Sequence, residues 1–144
     1  MSGKAFVDTN VLVYAHDTSS GVKHRIAKQV VEDLWISGNG VLSTQVLQEL
    51  CINVRRKAPR PRSVEETQRL IQDYMGWDIV INDSGSVLRA LAFEERYKVS
   101  FWDALILQAA ESAGVDVLLS EDLAAGQSYG SFLVRNPFVG ANGS

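Results

Sequence analysis

The sequence predicts a three-layer α/β/α domain built on a mainly parallel sheet of roughly five strands. Two observations carry this expectation. Short apolar runs suited to strands alternate with helix-patterned segments from end to end. Strands separated by helices pair in parallel, and the helices then cover both faces of the sheet. Size agrees: 144 residues, 46% of them hydrophobic, suffice for one domain with a core of its own. The sequence shows no internal repeat and no second domain, so residues 1–139 read as one unit and 140–144 as a disordered tail.

The first strand covers Ala5-Phe6-Val7 or a little beyond. Asp17-Thr18-Ser19-Ser20-Gly21 is a loop, followed by a helix over 23–37 with Ile26, Val30 and Leu34 on one face. Ser37-Gly38-Asn39-Gly40 stops it. Val41-Leu42 is the second strand, and Ser43 or Thr44 caps a helix carrying Val46, Leu47, Leu50, Cys51 and Val54. Ala58-Pro59-Arg60-Pro61-Arg62 breaks that helix, and Ser63-Val64-Glu65-Glu66 has the capping-box spacing that opens the next, over 64–75. Residues 77–81 read as a buried strand. Asp83 or Ser84 caps a helix to about Tyr97, Ser100 caps another over 102–113, and Gly114 ends it. Residues 116–119 form the fourth strand and Phe132-Leu133-Val134 a weaker fifth.

Composition narrows the function classes. A net charge of −3 gives no global attraction to polyanions, so such a partner needs a local patch or a bound cation. The single cysteine, Cys51, excludes an internal disulfide and suits a reducing compartment. No apolar run reaches the ~18 residues of a membrane span, and the N-terminus lacks a signal-peptide core. A cytoplasmic protein is expected.

Four acids border segments that should be buried: Asp8 after the first strand, Glu49 on a helix, Asp103 in the first turn of another, and Asp122 after the fourth strand. Each has a plain structural explanation. Asp8 and Asp122 can cap turns. Glu49 sits on the flank of its apolar stripe, where most glutamates are merely solvated. Asp103 can fold back on the Ser100 amide, although its helical phase falls inside the apolar arc. All four explanations must hold at once for the acids to be incidental. Carboxylates beside a core are costly unless paired or bound to a cation, and few cationic side chains lie near these positions. A divalent metal is the natural suspect. Asp8 and Asp122 also both follow strands directly, which places them on the carboxyl edge of a parallel sheet where ligands bind.

Phe6-Val7-Asp8-Thr9-Asn10-Val11-Leu12, Gln48-Glu49-Leu50, Trp102-Asp103-Ala104 and Leu119-Ser120-Glu121-Asp122-Leu123 resemble, in order, the motifs of PIN-domain ribonucleases. The resemblance runs from Phe6 to Asn136-Pro137-Phe138, and the length and single-domain form are similar to VapC-type toxins of toxin–antitoxin pairs. The family often has Thr where Ser120 stands, and the hydroxyl is kept. This resemblance implies that Asp8, Glu49, Asp103 and Asp122 bind one or two Mg²⁺ or Mn²⁺ ions, with Asn10 and Ser120 as supporting polar groups. It implies an endoribonuclease with an RNA substrate, a cognate antitoxin and a homodimer. A PIN-like RNA-processing nuclease without a toxin role is the alternative. The chemistry agrees, because metal-assisted phosphodiester hydrolysis needs no histidine base and hard oxygen ligands suit these ions.

Other residues weigh less. Arg55, Arg56, Lys57, Arg60 and Arg62 form the densest basic run; it is a solvated helix end or, given a nuclease site, a guide for the RNA backbone. His16 and His24 lack a metal-ligand spacing and read as surface residues. Tyr14 and His16 are candidates for the cleft wall, and Trp35, Trp77 and Trp102 read as core rather than base-stacking platforms. A haloacid-dehalogenase-type phosphatase needs a second acid where Asn10 stands, and a receiver domain needs a lysine where Arg135 follows Val134. A non-enzymatic protein-binding module would keep the acids only as caps.

Overall fold

In the computed structural model, which describes residues 3–57 and 60–139, six strands share one sheet. They are β1 (Ala5–Val7), β2 (Gly40–Ser43), β3 (Asp78–Val80), β4 (Val117–Leu119), β5 (Ser128–Tyr129) and β6 (Phe132–Arg135), in the spatial order β3-β2-β1-β4-β6-β5. β1 pairs in parallel with β2 and β4, β2 with β3, and β4 with β6. The two-residue β5 pairs antiparallel with β6 and is the strand that the expected five lacked. Helices α1 (Thr9–Ala15), α2 (Val22–Ser37), α3 (Thr44–Ile52), α4 (Val64–Tyr74), α5 (Ser84–Tyr97) and α6 (Phe101–Ser112) complete the three layers. No helix among the described residues is long and apolar enough to cross a membrane.

The core follows from the strand runs. Phe6, Val7, Val41, Leu42, Leu118 and Val134 are buried, and helix residues Val11, Leu12, Val46, Leu50, Leu107 and Ala110 pack with them. Several helix starts follow the capping chemistry expected of them. Ser43 accepts from the Val46 amide, Ser63 and Glu66 form a reciprocal capping box, and Ser100 accepts from the Asp103 amide. Gly40 is required by packing: a Cβ there would stand 2.4 Å from Trp77 Cε3.

Four expectations need correction. Helix α1 follows β1 at once; Asp8 caps it by accepting from the Thr9 amide, and burial of Val11, Leu12 and Ala15 holds it. Residues 77–81 do not form a buried strand: β3 is an edge strand, half-buried or exposed, and Ile81 is open to solvent. The 44–54 stripe is an α-helix only to Ile52, continuing as a π-helical turn over Asn53–Lys57. His16 is not a surface residue. It is half-buried, its Nε2 hydrogen-bonds Tyr74 Oη at 2.7 Å, and burial, with Arg62 and His24 nearby, lowers its pKa to about 4. His24 is half-buried too, donating through Nδ1 to the Tyr14 carbonyl. Ala58, Pro59, the Lys57 side chain and the tail from residue 140 lie outside the described residues.

The chain order sets the position of the site. From β1 the chain runs to β2 and β3 on one side, and later enters β4 on the other. β1 and β4 therefore flank a topological switch point, where open parallel sheets bind ligands beyond the carboxyl ends of their strands. Val7 is in register with Leu119, and the Asp8 amide donates to the Leu119 carbonyl at 2.9 Å.

Candidate active site

Beyond those two strand ends lies a cleft of about 560 Å³, and all four acids line it. Asp8 comes from the β1–α1 junction, Glu49 from α3, Asp103 from the first turn of α6, and Asp122 from the turn after β4. Four segments distant in sequence thus meet at one place. No Lys, Arg, His or Cys is among the described residues lining it.

Asp8 is the most constrained member. Its Oδ1 accepts from the Thr9 amide at 2.8 Å, and its Oδ2 accepts from Ser120 Oγ at 2.8 Å. Burial pushes its pKa up to about 6; the bonds from Ser120 and Thr9 pull it down, while the charges of Glu49 and Asp122 raise it further. Burial outweighs the hydrogen bonds, so this carboxylate is ionised at neutral pH at a cost to the fold. That cost would be relieved by a cation.

Asn10 and Ser120 both hydrogen-bond to cleft acids. Asn10 Nδ2 donates to Asp122 Oδ2 at 3.0 Å, and Asn10 Oδ1 accepts from the Glu121 amide at 3.2 Å. Ser120 Oγ accepts from the amides of Asp122 and Leu123 while donating to Asp8. Ser120 therefore caps this turn, a role open to Asp122 in the sequence. Asp103 is half-buried, and among the described residues nothing donates to its carboxylate: the fold-back on the Ser100 amide is not made.

Sequence reasoning missed three participants. Thr9 Oγ1 donates to Glu49 Oε1 at 2.6 Å and joins α1 to α3. Gln45, one turn before Glu49 on the same face, donates through Nε2 to Glu49 Oε2 at 3.4 Å and to the Trp102 carbonyl at 3.3 Å. Both neighbours are acceptors, so the amide nitrogen must face them, and the buried Gln45 Oε1 is left without a partner among the described residues. Glu121 accepts from Tyr14 Oη at 2.9 Å and from Lys23 Nζ, anchoring the turn to α1 and α2. The i−4 spacing of Gln45 and the polar run Asp8-Thr9-Asn10 were the available signals. Nothing local pointed to Lys23, which bonds across 98 positions.

Other candidates fall differently. Tyr14 lines the cleft, whereas His16 lines a separate pocket with Trp35 and Tyr74. Arg55, Arg56, Arg60 and Arg62 do not line it; Arg55 borders a groove between α3 and α4, and Arg62 a pocket on α4. Of the three tryptophans, Trp77 is buried and Trp35 is partly open within an aromatic cluster with Tyr74 and Trp77. Trp102 is not core: it is 64% exposed at the cleft.

The oxygen donors have the chemistry of a hard-cation site, with nothing softer on the walls. Among the described residues no group of three or more acids, histidines or cysteines is drawn together tightly enough to hold an ion alone. A cation entering the cleft would therefore have to complete its shell with water.

Comparison with known proteins agrees with this fold. A toxin–antitoxin complex from Klebsiella pneumoniae superposes with a TM-score of 0.69 at 21% identity, covering 93% of this chain and 98% of that one. VapC20 of Mycobacterium tuberculosis, a sarcin-ricin-loop-cleaving toxin, gives 0.60 at 18% identity over 80% and 87% of the two chains. DNA-bound VapBC from Salmonella typhimurium gives 0.63 at 16% identity over 93% and 98%. No curated protein matches the sequence. These likenesses establish a shared fold, while the PIN domain pattern matches residues 5–125 of the sequence itself. That span runs from β1 through the turn after β4 and holds all four cleft acids, and the chain accordingly belongs to the PIN domain family.

Proposed function

We propose that this protein is a divalent-metal-dependent endoribonuclease, hydrolysing RNA phosphodiester bonds, and the toxin of a toxin–antitoxin pair. The observation that carries the nuclease reading is the meeting of Asp8, Glu49, Asp103 and Asp122 in one cleft without a cationic side chain. Four carboxylates would repel an RNA phosphate unless a cation stood between them. Asp8, Glu49, Asp103 and Asp122 would hold one or two Mg²⁺ or Mn²⁺ ions. When bound, such an ion activates water and offsets charge on the phosphate.

The chain's own residues prepare that site. Ser120 and the Thr9 amide fix both oxygens of Asp8, and Asn10 holds Asp122 against the β4 end. Thr9 and Gln45 fix Glu49 from two sides. Ligands held this way need little reordering when a cation arrives. The test is direct: the purified protein, given unstructured RNA, should cleave it with Mg²⁺ and not with EDTA. Persistent cleavage in EDTA would sink the metal-dependent reading.

The toxin role rests on the shared fold with toxin–antitoxin proteins and on the charge of the cleft. An arginine on a flexible partner segment can bind carboxylates through both nitrogens and occupy the cation's place. The groove between α3 and α4, lined by Cys51, Val64, Thr67 and Ile71, would seat the apolar part of such a segment. The product of a small neighbouring gene should copurify on coexpression and suppress cleavage. Replacing its inserted basic residue with Ala should restore cleavage while the complex persists. If no partner binds and the host tolerates the active enzyme, a housekeeping RNA-processing role replaces the toxin role.

The homodimer belongs to the same reading. Val87, Leu88 and Leu91 form an exposed apolar row on α5, and such patches mark association surfaces. Leu88→Glu with Leu91→Glu should turn a dimer into a monomer by light scattering. A wild-type protein already monomeric at micromolar concentration would refute the dimer.

A further inference from the structure

An RNA-cleaving cleft must hold its substrate as well as cut it, and this one holds no Lys or Arg among its described lining residues. The densest basic run lies elsewhere: Arg55, Arg56, Arg60 and Arg62 do not reach the cleft wall. Phosphate contacts from basic side chains, the usual source of affinity for nucleic acid, are therefore missing from the described wall. A non-ionic means of gripping a single strand is the flat face of a base stacking on an aromatic side chain.

The cleft offers one such side chain in the open. Trp102 is 64% exposed, immediately before Asp103 in the first turn of α6. A tryptophan buries ~150–250 Å² when it packs into a core, so most of that area is left to solvent here. Its position is nevertheless fixed. The Trp102 carbonyl accepts from Gln45 Nε2 at 3.3 Å, the same nitrogen that donates to Glu49, so the backbone of Trp102 is tied to one cleft carboxylate and adjoins another. The indole is braced edge-on against Phe101, with ring centroids 5.3 Å apart. Ile52, 42% exposed, adds a second apolar surface to the same cleft. Of the other two tryptophans, Trp77 is buried, and Trp35, 42% exposed, packs on Trp77 and Tyr74 at a pocket separate from the cleft.

On the strength of the ribonuclease reading, we propose that Trp102 is a stacking platform for an unpaired base of the substrate RNA beside the carboxylates. A platform of this kind accepts any base, because every base has a π-face, and it cannot engage a base stacked within a duplex. The site then favours unpaired RNA: with no Lys or Arg among its described lining residues, a duplex gains little to compensate for the indole it cannot use. Trp102 is a binding residue in this scheme and takes no part in bond cleavage.

The test uses the full chain and short probes. In an Asp8→Asn background, a single-stranded RNA hexanucleotide should quench tryptophan fluorescence, and Trp102→Phe should remove most of that quenching while keeping affinity. Trp102→Ala should weaken the hexanucleotide roughly 5- to 150-fold without lowering the melting temperature, and should leave the weaker binding of a duplex unchanged. With Asp8 intact and Mg²⁺ present, Trp102→Ala should raise KM far more than it lowers kcat. Unaltered affinity and KM in Trp102→Ala, in a protein that cleaves RNA, would overturn the platform and leave the nuclease reading standing. Absence of cleavage in the wild type, with Trp102-dependent binding retained, would remove the nuclease and support the platform. Loss of a copurifying protein partner in Trp102→Ala, with RNA binding unchanged, would reassign the indole to a protein interface and overturn the proposal.

Discussion

Asp8→Asn should leave the protein folded and reduce RNA cleavage by at least about a hundredfold, the upper range of loss when only an outer partner of a metal ligand is removed. Shape argues for the intact fold. Asn is as good an N-cap as Asp, so the bond from the Thr9 amide that starts α1 survives. Charge argues for the lost activity: one of four cleft carboxylates disappears, and the bond from Ser120 loses its ionised acceptor. Asp33→Asn serves as control, since that exposed acid on α2 is paired with Gln29 far from the cleft. Circular dichroism should show both variants folded, and an RNA-cleavage assay with added Mg²⁺ should separate them. Wild-type cleavage by Asp8→Asn would refute the assignment of the carboxylates.

The four acids were legible in the sequence because parallel topology converts local signals into a shared place. Asp8 and Asp122 each follow a strand, and the register of Val7 with Leu119 brings the two strand ends together. The elements that stayed hidden are those whose form depends on distant partners. Helix α1 has only seven residues, rich in β-branched valine, and exists because Asp8 caps it and the core buries one side. β5 has two residues and no periodicity to read. Trp102 reads as core from the sequence for a different reason. Every residue from Ala104 to Ala110 is buried, so the apolar arc of α6 spans nearly its whole circumference. Only the first turn emerges at the cleft, and phase cannot show where a buried helix surfaces. His16 was misread because Tyr74, its partner, lies 58 positions away.

Opposed titrations make stability a separate test of the site. Asp8 carries a pKa raised from 3.8 to about 6 by burial. A raised carboxylate helps the fold below about pH 4 and forfeits that help as pH rises through 6; the forfeit at pH 7 is on the order of 3 kcal/mol. His16 runs the other way. Its pKa is lowered from 6.5 to about 4 by burial, so its contribution is intact above 6.5 and lost as pH falls through 4. Between pH 4 and 6 the two slopes oppose each other. In metal-free buffer Asp8→Asn should therefore melt higher than wild type at pH 7, and the difference should vanish near pH 4. The variant should also lose stability on acidification more steeply than wild type, because the His16 effect then stands alone. Mn²⁺ or Mg²⁺ binds the folded state and raises its stability by mass action. Wild type should gain several degrees, while Asp8→Asn and Asp103→Asn gain less. Calorimetry across pH with and without metal reads all of these at once. An Asp8→Asn protein less stable than wild type at pH 7 would mean that the bond from Ser120 to the ionised Asp8 outweighs the cost of its burial. Equal gains with metal in all three proteins would mean salt screening rather than a site.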